Sequence, residues 1–113
     1  DPDPKAAYER MRPVLALYVG FFPRYRRVAC EAGFAVAVDV VTDAYKRGGM
    51  EAAVPMVSDE MVATLTAAGT AQEVRARIAE YRRAGITLPM IMPVATASET
   101  TASIAGIIRA CAE

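Results

Sequence analysis

Apolar positions recur with a helical period through the second half of the chain, and the periodic stretches are punctuated by capping residues and glycine. Ser58 precedes Asp59–Ala68, in which Met61, Val62 and Leu65 form one apolar stripe, so the pattern predicts an N-capped helix closed by Gly69. Thr70-Ala71-Gln72-Glu73 then reads as a capping box: the Thr70 hydroxyl accepts from the third amide while Glu73 reaches back to the cap. The helix it opens, Ala71–Ala84, is predicted to bury Val74, Ile78 and Tyr81, to pair Glu73 with Arg77 at i,i+4, and to end at Gly85. Over Ile86–Val94 the period changes. Ile86, Leu88, Met90, Met92 and Val94 point one way and Ile91 the other, which predicts a strand apolar on both faces. Ser98 is placed as the cap of a last helix, Glu99–Ala112, with Ile104, Ile107 and Ile108 inward.

The first half is less decided. Asp1–Pro4 reads as a turn and Lys5–Arg12 as a short helix that Pro13 interrupts or restarts, because proline lacks a donor and crowds the preceding turn. Val14–Val19 is apolar on every side and fits a buried helix or a buried strand equally. Arg24–Ala32 reads as a helix with Gly33 just past its end. Phe34–Val41 is again double: Val36, Val38 and Val40 alternate like a strand, while Val36, Val40 and Ala44 fit a helix face. The helical segment from Asp43 ends at Arg47-Gly48-Gly49, a basic last turn followed by glycine.

Helix, glycine, strand, loop and capped helix make an α/β unit, and its strand raises a problem of pairing. A buried strand must satisfy both edges. If Val14–Val19 and Phe34–Val41 are strands, the chain is a small three-stranded α/β domain. If they are helices, the strand at 86–94 must pair with a second copy or with sequence outside these residues. No internal repeat or low-complexity linker divides the 113 residues, so they are expected to form a single unit.

Composition narrows the function. Thirteen basic and thirteen acidic residues cancel, which argues against a nucleic-acid partner, since neutralising phosphates takes an excess of Lys and Arg. The chain holds no histidine, so no imidazole base, Ser-His or Cys-His pair, or histidine-bearing metal site is available within it. Cys30 and Cys111 match neither a disulfide framework nor a CxxC motif, and are read as reduced thiols. The acidic, turn-like Asp-Pro-Asp-Pro start does not read as a signal peptide, and Val14–Phe22 is far short of a membrane span. A cytoplasmic protein without a membrane partner is the expectation.

Candidate chemistry is sparse. GxGxxG and P-loop patterns are absent. Asp39 and Asp43 lie at i,i+4, but with no further nearby ligand they read as a solvated helix face, and no metal site is expected. Six methionines, Met90 and Met92 among them, read as core filler. Arg24, Arg26 and Arg27, beside Phe22 and Tyr25, are the best candidates for gripping an anionic substrate; a basic face that merely snorkels is the plainer reading. In an α/β layout the helix starts at Thr70 and Ser98 and the loop Pro93–Ser98 share the face where such proteins hold anionic ligands.

The run Ser58–Gly69 followed by Thr70–Thr87 resembles the carboxy-terminal part of the luciferase-like monooxygenase superfamily, closest to its deazaflavin-dependent oxidoreductases. Arg12-Pro-Val-Leu-Ala-Leu-Tyr-Val-Gly20, Gly33-Phe34 and Asp43-Ala-Tyr-Lys-Arg-Gly48 are similar to the segment those proteins carry upstream. The resemblance implies the C-terminal portion of a (β/α)8 barrel, mostly helical, with one buried parallel strand at 86–94. On that reading residues 1–68 are a helical insertion over the barrel mouth and 69–113 a helix-strand-helix closing the barrel. It further implies that Val14–Val19 and Phe34–Val41 are helical, that the strand pairs with the rest of the barrel, and that the protein is a homo-oligomer. The implied activity is hydride transfer between deazaflavin coenzyme F420, or FMN, and a small organic substrate. No catalytic residue carries over. Gly69, Thr70, Thr96 and Ser98 are the candidate cofactor contacts, with the segment around Phe21–Arg27 near the substrate, and the chain by itself is expected to be inactive.

Overall fold

The computed structural model describes residues 1–94 and 101–112. In chain order the elements are α1 (Pro4–Phe21), α2 (Pro23–Ala29), a π-helical turn (Cys30–Phe34), α3 (Ala35–Ala53), a 3-10 turn (Val54–Met56), α4 (Asp59–Leu65), α5 (Ala71–Arg83) and α6 (Thr101–Ala112). No strand occurs among the described residues. The chain divides into two compact units, Tyr8–Thr66 and a second made of Asp1–Ala7 with Ala67–Glu113.

In the Tyr8–Thr66 unit both ambiguous segments are helical. Leu15, Ala16 and Val19 are buried, a spacing of one, three and four that only a helix brings to one side. Pro13 does not end α1; it sits inside the helix on an exposed position, where its missing N–H and its ring weaken one turn without stopping the run. In α3 the buried residues are Val38, Val41, Thr42, Ala44 and Ala53, whereas Val36 is 80% exposed and Val40 lies outward too. The expected face through Val36 and Val40 is therefore rotated: the helix buries the stripe through Val38, Val41 and Thr42 against its neighbours. Those neighbours include α1, since a Cβ on Gly20 would lie 2.7 Å from carbons of the Tyr45 ring.

Glycines set the breaks. Gly33 takes φ 98° between α2 and α3. Gly48 leaves helical geometry and Gly49 adopts φ 64°, ψ −150°, a region that glycine enters far more readily than other residues. The helix proper thus stops after Arg47, as its glycine pair predicts, and a short second piece runs on to Ala53. Ser58 caps α4, its hydroxyl accepting from the Met61 amide at 3.1 Å, and Met61 and Val62 are fully buried. That helix is shorter than expected, ending at Leu65 with the Thr66 hydroxyl donating to the Val62 carbonyl. Arg12 ties α1 to the start of α4: its guanidinium bonds the Val57 carbonyl and the Asp59 carboxylate, and its Nε bonds Glu9 at 2.9 Å.

In the second unit Asp3 starts α1, its carboxylate accepting from the Lys5 amide at 2.9 Å, and the Asp1 ammonium donates to the Gly69 carbonyl at 3.0 Å. Helix α5 buries Ile78, half-buries Val74 and Tyr81, and packs against α6. Ile104 and Ile107 are partly covered there, while Ile108 points outward at 56% exposure.

The expected strand at 86–94 is overturned. Ile86–Val94 is irregular, with Leu88 87% and Met90 96% exposed. No other described segment is a strand to which it could pair, and Pro89 and Pro93 remove two of its amide donors. Without a ladder partner the alternation has no face to bury. The α/β class fails with it among the described residues, both as a barrel portion with one parallel strand and as a three-stranded domain, because Val14–Val19 and Phe34–Val41 lie in α1 and chiefly in α3.

Candidate functional site

The capping box at Thr70 is present in full. Glu73 Oε2 accepts from the Thr70 amide at 2.7 Å and from its hydroxyl at 2.8 Å, while the Glu73 amide donates to the Thr70 hydroxyl at 3.3 Å. These bonds hold the Glu73 carboxyl below the usual carboxylate range, the Thr70 amide contributing most and the amino-terminal charge adding to it. Gly69 precedes the cap at φ 136°, and a Cβ there would strike the Glu73 carboxylate at 2.5 Å. This geometry does not cradle a phosphate: of the first-turn donors only the Ala71 and Gln72 amides are left, and a carboxylate already sits at the helix end. The fit of Gly69 and Thr70 to an anionic cofactor is therefore poor. Thr96 and Ser98, the other candidate cofactor contacts, lie outside the described residues, as does the expected cap of the last helix.

Glu73, predicted to pair with Arg77, is engaged at the cap, and Arg77 bonds Glu80 at 2.9 Å with its guanidinium 5.4 Å from the centre of the Tyr81 ring. The Glu80 bond leads the effects that raise the Arg77 pKa.

In the Tyr8–Thr66 unit the three candidate arginines are separated by role. Arg26 turns back to the end of α1, its Nε donating to the Val19 carbonyl at 2.8 Å and its Nη2 to Gly20 at 2.8 Å and Phe21 at 3.4 Å. It is a cap, satisfying carbonyls that the helix end leaves open. Arg27 pairs along its own helical face with Glu31 at 2.8 Å. Arg24, exposed in the first turn of α2, makes no hydrogen bond or ion pair among the described residues. The cluster is thus one available cation with two others committed.

Around it lies a group of rings. Tyr18, Phe22 and Tyr25 form a closed triangle with centroids 4.5, 5.8 and 6.1 Å apart. Phe21 joins edge-on to Phe22 at 5.0 Å and reaches Tyr45 at 6.4 Å. Phe21, Phe22, Tyr25 and Val28 are all exposed. Tyr18 lies in α1 and Tyr25 in α2 with the extended Phe22 between them, so the break between the two helices brings the rings together and no single helical period in the sequence marks Tyr18 as their partner.

No cluster of His, Cys, Asp and Glu among the described residues could hold a metal ion, and no helix there is long and apolar enough to cross a membrane.

With the geometry in hand, comparison with known proteins defines the class. The sequence profile of the luciferase-like monooxygenase family matches residues 1–88, and the chain belongs to that family. A relative in Mycobacterium tuberculosis, named as a coenzyme F420-dependent oxidoreductase, is 29% identical over 115 residues, covering 94% of this chain but 31% of its own length. The chain thus spans about a third of that relative. No solved structure gives a significant match.

Proposed function

We propose that this sequence is part of a luciferase-like oxidoreductase that moves a hydride between coenzyme F420 and a small organic substrate. The family match over residues 1–88 carries the reading, and the mycobacterial relative's name supports F420. In such an enzyme the cofactor supplies the redox chemistry, and the protein binds, orients and excludes water. A sequence without histidine fits a part that contributes scaffold and substrate contacts instead of a proton-transfer residue. The described residues at Gly69 and Thr70 fit a phosphate poorly, so the cofactor's anionic groups are assigned to sequence beyond the described residues. The exposed run from Ile86 to Met92 supports the same reading, since so much bare apolar side chain gains by being covered by further polypeptide or by a second copy. FMN in place of F420 is the alternative outcome.

The test is native mass spectrometry of the polypeptide purified from its source, together with a turnover assay using reduced F420 and reduced FMN. The expected result is a covalent mass well above 12.1 kDa and F420-linked turnover. A 12.1 kDa polypeptide that turns over either cofactor by itself would overturn the proposal.

A further inference from the structure

We propose that α2 and the π-helical turn after it form a latched strap, which releases about breaks at Phe22 and Gly33 while the rest of the Tyr8–Thr66 unit stays folded, with Arg26 as its latch. Three observations converge on this. The first is burial. Between Phe21 and Gly33 Ala29 alone is buried, while Phe21, Phe22, Tyr25 and Val28 are exposed, so the segment draws little from the core that holds α1 and α3 together. A helix of seven residues does not persist through its own hydrogen bonds. With one buried side chain it belongs to the low end of a protein's range of local stability.

The second is the backbone, which is broken on both sides of the segment. Phe22 is extended at φ −97°, ψ 112°, and Pro23 after it has no amide with which to carry the ladder of α1 onward. Gly33 takes φ 98°, ψ 8°, before α3 begins. Large dihedral changes at a few such positions move an element as a body and leave helical geometry intact on either side. The third is how the segment is tied. The Arg26 guanidinium crosses the first break to the Val19 and Gly20 carbonyls at 2.8 Å each, and the Tyr25 ring lies 4.5 Å from that of Tyr18. The Arg27–Glu31 pair lies within the segment and moves with it. Release therefore uncovers the last carbonyls of α1 and one side of Tyr18, and Arg26 decides how often it happens. The inference does not rest on the hydride-transfer reading.

Native-state hydrogen exchange of the 113-residue chain, followed amide by amide in increasing urea, tests it without cofactor or turnover. The amides of residues 27–30 are expected to exchange about tenfold or more faster than those of residues 16–19 in α1 and 41–44 in α3. Their rates should change little with urea, because little surface is exposed on release, while the α1 and α3 rates climb with the slope of global unfolding. Arg26→Ala is expected to speed exchange at residues 27–30 by a further factor of about ten or more, Arg26→Lys by less, and Arg24→Ala not at all. The comparison of α2 with α1 and α3 is made within the parent, so it stands even if Arg26→Ala fails to fold. Amides of α2 that exchange at one rate and one urea slope with those of α1 and α3, or an Arg26→Ala variant whose α2 amides keep the parent rate, would overturn the proposal.

Discussion

Arg26 offers the sharpest energetic test of how the aromatic surface is built. Its guanidinium makes two bonds of 2.8 Å to the Val19 and Gly20 carbonyls and a third, longer one to Phe21. Hydrogen bonds involving a charged partner contribute about 1.5–3 kcal/mol each, and a cation at a helix C-terminus adds about 0.3–1 kcal/mol. Val19 and Gly20 are buried, so their carbonyls regain water poorly once the arginine is gone, whereas the guanidinium itself is only half-buried and recovers solvation on unfolding. Balancing these, Arg26→Ala is expected to destabilise the Tyr8–Thr66 unit by about 2 kcal/mol. Arg26→Lys keeps the charge but loses the fork, and is expected to cost about half as much. Arg24→Ala, with no internal bond to lose, should stay within about 0.5 kcal/mol of the parent. Urea unfolding followed by tyrosine emission reads the difference: with a slope of about 1–1.5 kcal/mol per molar for a chain of this size, Arg26→Ala lowers the midpoint by about 1.5 M. An Arg26→Ala midpoint equal to that of Arg24→Ala would refute the capping role and return all three arginines to one solvent-facing cluster.

Four further outcomes follow from the same contacts. Gly20→Ala drives a methyl group into the Tyr45 ring, 2.7 Å away, and is expected to cost about 1–3 kcal/mol in urea unfolding. Thr42→Val removes a buried hydroxyl that has no partner among the described residues and keeps the shape of the side chain, so thermal unfolding should show a gain of about 1 kcal/mol. The capping-box carboxylate of Glu73 is held below its ordinary pKa of 4.5, so its contribution is complete above that value and is lost as pH falls through the lowered one; helicity measured by circular dichroism should decline there in the parent and lose this step in Glu73→Gln. Leu88→Ser combined with Met90→Ser should leave the unfolding free energy unchanged within about 0.5 kcal/mol, while reducing binding of an apolar dye and any self-association seen in sedimentation.

Local signals in the sequence translated directly. Ser58 and Thr70 cap helices because a hydroxyl one residue before an amphipathic stretch has few other uses, and Glu73 completes a reciprocal motif within four residues. Gly33, Gly49 and Gly85 fall at positive φ where helices end. What escaped depended on neighbours. The all-apolar Val14–Val19 stretch and the valine alternation of Val36–Val40 are compatible with either period, and only the approach of α1 to α3 at Gly20 and Tyr45 resolves them. The strand at 86–94 was a sound reading of alternation, but a strand is a pairwise object, and no described segment supplies the second member. At the candidate site, three arginines in four residues looked alike as a pattern; their division into cap, ion pair and available cation depends on where the end of α1 and Glu31 lie. Thr70, named from the sequence both as a cap and as a candidate cofactor contact, is a cap whose own amide and hydroxyl are taken up by the Glu73 carboxylate.

The measurement that bears most directly on the proposed function is F420 binding by a chimera in which this chain replaces the matched third of the mycobacterial relative. Fluorescence titration of the cofactor compares three proteins: the relative, the chimera and the isolated chain. The account predicts that the chimera binds F420 within about tenfold of the relative and more tightly than FMN, while the isolated chain binds neither. A folded chimera that has lost F420, or an isolated chain that binds it as tightly as the relative does, would contradict it.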